Sequence, residues 1–134
     1  MDFKNFPDRE MRHNISIPFI WGMVLPVMIL DIFLIIYHQV CFRLYELPLV
    51  DRKKYVKMDR HKLEYLSFMD KIRCYYCGYV NGVFAFAVKL AGDTEKYWCG
   101  IKHEKDSVFV EQPHQKNFLE YGDKKNFEEK YSRK

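Results

Sequence analysis

Residues 74–103 read CYYCGYVNGVFAFAVKLAGDTEKYWCGIKH, with Cys74 and Cys77 at one end, Cys99 and His103 at the other, and 21 residues between Cys77 and Cys99. Cys-x2-Cys followed by glycine is the shape of a metal knuckle: a sharp turn converges two thiolates, and the glycine lets backbone N–H groups point toward sulfur. Cys99-x3-His103 supplies a second pair within one further turn of chain. Three thiolates and an imidazole make the tetrahedral Cys3His set of structural zinc sites. Thiolate-rich donors favour zinc or iron over magnesium and calcium. The spacing predicts Zn2+ held by Cys74, Cys77, Cys99 and His103, with iron as the alternative ion and His61 and Cys41 as reserve ligands. A closed shell leaves no position for substrate water, which argues against hydrolytic zinc. Two readings stand beside it: thiol–disulfide chemistry at Cys74 and Cys77, without the βαβ pattern of a thioredoxin-like domain around them, and small core cysteines with no ligand. His13 and His114 read as solvated.

Size gives the metal a purpose. Past the first 40 residues of this 134-residue chain, only a modest soluble part remains. A core of about 70 residues buries a limited share of its surface and is commonly stapled. A structural zinc contributes about 10–16 kcal/mol of apparent free energy in small domains.

Working upstream, Ile15–Tyr37 holds 23 residues without Lys or Arg. As a helix it would rise about 34 Å, enough for a hydrocarbon core of about 30 Å. Residues 1–14 lack the basic start and cleavage site of a signal peptide, so the run reads as an uncleaved transmembrane anchor. Pro18 is placed in its first turn, and the interior Pro26 predicts a kink. Asp31 interrupts the run, and an acid at bilayer depth usually faces a partner. Asp31, His38 and Cys41 share roughly one helical face, as a proton or metal relay or as a polar seam against another helix.

Charge sets the orientation. Lys4, Arg9 and Arg12 precede the apolar run, while Arg43, Arg52, Lys53, Lys54, Lys57 and Arg60 follow it. The excess of basic residues puts the C-terminal side in the cytoplasm, where cysteines stay reduced. Arg43, Arg52, Lys53, Lys54 and Lys57 are candidates for contact with anionic lipid headgroups. Nucleic acid would compete for such charge, but no recognition module accompanies it.

Downstream, Asp59–Ile72 reads as an amphipathic helix capped by Asp59, with Leu63, Leu66 and Met69 in its apolar stripe. Val80–Leu90 reads as the central buried helix, closed by Gly92, with a strand as the alternative over Val83–Val88. Ser107–Val110 suits a short strand and Lys124–Tyr131 a short exposed helix.

The motifs PFIWGM near Pro18, CFRLY near Cys41, DRHKLEYL near Asp59, CYYCGYVNG and TEKYWCGIKH carry a resemblance to a family of bacterial single-span membrane proteins of no assigned activity. The resemblance implies a bacterial inner-membrane location. The Cys-x2-Cys-Gly-Tyr half is also similar to the knuckle of rubredoxin-like domains, from which the histidine at position 103 departs.

The expected architecture is mainly α. It has a tail at 1–14, a transmembrane helix with its juxtamembrane extension at 15–47, a small metal-stapled α (or α+β) cytoplasmic domain at 48–111, and a polar tail at 112–134. The expected function is a membrane-anchored, non-enzymatic zinc-binding interaction module, set on the bilayer and facing another membrane protein. The alternatives are a redox or metal-handling protein and, more weakly, a lipid-directed enzyme using His61, Glu64 and Asn81.

Overall fold

A computed structural model describes residues 8–132. The chain is mainly helical, and among the described residues the one β interaction is an isolated parallel bridge, Ile101 to Leu119. Residues 1–7 of the expected N-terminal tail lie outside the described residues. Two compact units divide within a helix, one through Phe86 and the other from Ala87. From residue 48 through Phe86 the chain lies in the same compact unit as the apolar helix.

In the first unit, α1 (Arg9–Gly22) and α2 (Val24–Leu44) follow one another across Met23, whose φ of −70° and ψ of −19° stay helical. Helix formation begins at Arg9, six residues earlier than expected, so Pro18 lies inside α1. Pro26 falls in the first turn of α2, where its missing N–H is one that no intrahelical carbonyl would accept. The two helices are joined through Met23 alone, three residues before the proline, with the Met23 N–H on the Phe19 carbonyl (3.3 Å) and the Val27 N–H on the Met23 carbonyl (3.2 Å). The 36 residues Arg9–Leu44 include a window of mean hydropathy 2.5 and form a helix long and apolar enough to cross a membrane.

α2 stops ahead of Pro48 by a Schellman turn. The Leu47 N–H bonds to the Phe42 carbonyl (2.9 Å) and the Glu46 N–H to that of Arg43 (3.3 Å). Glu46 itself takes φ 56°, a left-handed position where glycine is usual.

The return from Tyr45 to Ser67 has two single 3-10 turns, Arg52–Lys54 and Arg60–Lys62, in place of the long helix expected from Asp59. Asp59 makes no side-chain cap. The working cap is Ser67: its Oγ accepts the Asp70 N–H (3.2 Å) and donates to the Asp70 carboxylate (2.6 Å), an N-cap that opens α3 (Phe68–Trp98). α3 runs without interruption through the residues expected to form the knuckle. Val80–Leu90 is helical as anticipated, the strand alternative falls away, and Gly92 does not end the helix.

The α1–α2 rod and the first part of α3 run parallel, as the pairs Trp21–Tyr76, Asp31–Tyr79 and His38–Phe86 occur in the same order along both. Their core joins Val27, Val80 and Val83, with Leu34, Val56, Tyr76 and Tyr79 packed around it. Phe42 and Phe86 are fully buried.

The second unit packs Leu90, Gln115 and Phe118 inside. Leu119 donates to the Gly100 carbonyl and Lys102 to that of Leu119, both at 2.8 Å. Ser107–Val110 forms no strand and is exposed, whereas α4 (Lys124–Tyr131) forms where expected, capped by the Asp123 carboxylate on the Asn126 N–H.

Candidate functional site

The four expected ligands are not brought together. Cys74 and Cys77 sit a turn apart on α3, and the 21 residues that were to fold back toward them continue as helix. Cys77 lies within α3, and Cys99 comes just past its end. Cys99 follows the helix end, its N–H on the Glu95 carbonyl (2.7 Å), and the His103 ring meets Phe109 edge-on at 5.0 Å. All four cysteines are free, with Cys77 and Cys99 exposed. Among the described residues no group of three His, Cys, Asp or Glu is placed to hold a metal ion. The metal-stapled domain therefore has no counterpart in this structure.

What the CYYCGYVNG motif does instead is make room. Gly78 and Gly82, four apart on one face of α3, receive the return segment at backbone distance. A Cβ on Gly82 would stand 2.7 Å from Val56 Cα and 2.8 Å from the Tyr55 carbonyl oxygen; on Gly78 it would stand 3.1 Å from the Lys57 carbonyl oxygen. Gly78, which suggested a sulfur-binding turn, is with Gly82 the floor of a groove. Asn81 between them donates its side-chain N–H to the Cys77 carbonyl (2.9 Å).

The groove fixes a polar centre on α2. Arg52 grips the Asp31 carboxylate with both arms, Nε to Oδ1 at 3.1 Å and Nη2 to Oδ2 at 2.6 Å, and the Tyr79 hydroxyl donates to Oδ2 at 2.9 Å. Asp31 is 6% exposed. Fork-to-fork pairing is the strongest form of a guanidinium–carboxylate contact. Burial, then the bond to Asp31, raises the Tyr79 phenol above its ordinary value of 10.0, so it remains a neutral donor. Two turns along, the Val50 N–H donates to His38 Nε2 at 2.9 Å, which makes that nitrogen the unprotonated one. The His38 ring lies edge-on to Phe42 (4.9 Å) and Phe86 (5.6 Å).

This settles several expectations. Asp31 and His38 do share a buried face, but each is satisfied by the return segment, and Cys41 is half-buried and free. The arrangement is a seam holding the return segment and α3 onto α2. Arg52, expected at a headgroup, is committed to Asp31, and Arg43 donates to Gln39 (3.1 Å). Lys53, Lys54 and Lys57 remain exposed. His61 lies flat on Tyr75, ring centroids 5.0 Å apart, with its Nδ1 buried and unpaired.

The second unit has a smaller cluster that the sequence did not mark. The Glu95 carboxylate meets His114 Nε2 at 2.6 Å and the Gln115 side-chain N–H at 2.8 Å. The His114 contact holds Glu95 below its ordinary 4.5, against a smaller upward push from burial. His114 is half-buried, not solvated as expected, because its ring lies over Gly92, where a Cβ would come within 3.0 Å of Cγ and Nδ1. Beside it, Lys102 bridges Glu120 (2.7 Å) and Glu111 (3.6 Å). The Glu120 hydrogen bond raises Lys102 and in turn lowers Glu120.

No protein-family model, curated protein or solved structure matches the chain. Its chemistry must be read from these contacts. Both clusters are closed sets, with each carboxylate already answered by donors of the same chain.

Proposed function

We propose that the chain is a membrane-anchored, non-enzymatic interaction module. α1–α2 enters the bilayer, and the exposed remainder faces a partner, another membrane protein. One observation carries this reading. α2 leaves Leu25, Met28, Ile29, Ile32, Phe33, Ile36 and Val40 bare, and in the most apolar window of Arg9–Leu44 just 11% of the residues are buried. Soluble monomers rarely expose a continuous apolar surface of that extent. The excess of basic residues after the anchor supports a cytoplasmic setting. The resemblance noted above supports a bacterial inner membrane.

The non-enzymatic part of the reading is supported by the closed state of both polar clusters. The test of anchoring is fractionation. The protein is expected to stay with membranes through alkaline carbonate, and a variant carrying Ile29→Glu and Phe33→Glu to move into the soluble fraction. Release of the unaltered protein by carbonate refutes the reading.

A further inference from the structure

We infer that α1–α2 enters the membrane by one face and lies along the cytoplasmic leaflet without crossing it, an inference that rests on the anchoring proposed above. The first ground is the distribution of cover around α2. Val27, Asp31, Leu34, His38 and Phe42, at steps of three or four residues, form one line that the return segment and α3 cover. At about 100° per residue, Leu25, Ile29, Ile32, Ile36 and Val40 centre on the opposite side, and these are bare. A helix crossing hydrocarbon alone needs apolar cover all round. This one has a lipid side and a protein side.

The second ground is what covers the protein side. Arg52 is bound to Asp31, so its neighbours Asp51, Lys53 and Lys54, all exposed, sit at the level of Asp31 along the rod. Asp31 lies 16 residues past Ile15 and 9 before Val40, inside the apolar run. An upright α2 would draw two solvent-seeking ammonium groups to bilayer depth, which is costly and rare without partners. Because α3 runs parallel, with Tyr76 beside Trp21, its charged opening turns at Asp70, Lys71 and Arg73 would be drawn in as well.

Length is the third ground. A 36-residue helix is about 54 Å long, nearly double the hydrocarbon thickness. Laid in the interface, the same rod meets acyl chains with its bare face and leaves the lysines of the return segment at headgroup height, where anionic lipid attracts them.

The test is sidedness, in the full chain expressed in a bacterial host. Single cysteines are introduced as His13→Cys, before the apolar run, and Lys54→Cys, after it, with native cysteines changed to serine. Each is probed with a membrane-impermeant maleimide in spheroplasts and in inverted vesicles. Both positions are expected to label in inverted vesicles and neither in spheroplasts. An N-terminal epitope tag on the otherwise unaltered chain gives the same readout by protease removal, free of any effect of the substitutions on folding. Membrane-bound protein whose position 13, or tag, is reached from the spheroplast side alone overturns the in-plane arrangement and leaves the anchoring intact. Recovery of the unaltered chain in the soluble fraction overturns both.

Discussion

Replacing Gly82 with alanine tests the groove directly. In an open helix the change is favourable by about 1 kcal/mol, because glycine is the poorer helix former. Here the new Cβ would sit 2.7 Å from Val56 Cα and 2.8 Å from the Tyr55 carbonyl oxygen. Carbon atoms in comfortable contact lie about 3.5–4.0 Å apart, so the return segment must retreat by nearly 1 Å. Both obstructing atoms are backbone and cannot swing aside as a side chain would. Val56 packs on the core with Val27, Val80 and Val83, and Arg52 four residues upstream holds Asp31. Retreat therefore loosens both. Overpacking costs about 1–3 kcal/mol in a filled site, and the expected net loss is near the upper end of that range. For a chain of this size, each 1 kcal/mol moves Tm by about 3–5 °C. The assay is thermal unfolding of the protein in nanodiscs, followed by tryptophan fluorescence, since Trp21 meets Tyr76 beside the groove. Gly22→Ala is the control: no atom lies within 4 Å of its added Cβ, and it should be neutral or stabilising. If Gly82→Ala melts at or above the unaltered protein, the close approach is not real and the parallel packing built on it fails.

Three further outcomes follow from the same contacts. Asp31→Asn should cost about 3 kcal/mol, at the low end for breaking a buried ion pair. In a double-mutant cycle with Arg52→Gln, a coupling near zero would count against the pair. Glu95 is held below 4.5 in the folded chain, so its contribution to stability is present above pH 4.5 and is lost as pH falls through the lower folded value. Acid unfolding should accordingly be shallower below pH 4.5 in Glu95→Gln than in the unaltered protein, and equal slopes would refute the His114 contact. Cys77 and Cys99 should react with a soluble maleimide faster than Cys41 and Cys74, and Cys77→Ser should leave metal content unchanged; a loss of bound zinc on that substitution would restore the shared site.

The long apolar helix was legible because 23 residues without Lys or Arg have few other uses in a chain this short. Asp31 stood out for the same reason, as a costly residue in an apolar setting. That it would be answered by Arg52 and Tyr79 was not legible, because those partners lie 21 and 48 residues further on. The cysteine motif misled through its glycines. Gly78 fits a knuckle, but together with Gly82 it also fits a helix face pressed against backbone, and local sequence does not separate the two. The deciding signal was Ser67 three residues before Asp70, an N-cap upstream of the motif. It starts the helix at Phe68 and leaves the following cysteines a turn apart instead of folded together. His114 was missed because its partner, Glu95, lies 19 residues upstream.

The fork on Asp31 also orders events in time. Asp31 emerges from the ribosome 48 residues before Tyr79 and 21 before Arg52. At about 5–20 residues per second, the carboxylate waits roughly 1–4 s for the guanidinium and roughly 2–10 s for the phenol. During that interval Asp31 stands within the apolar stretch of the rod as an acid with neither of its two side-chain donors yet made.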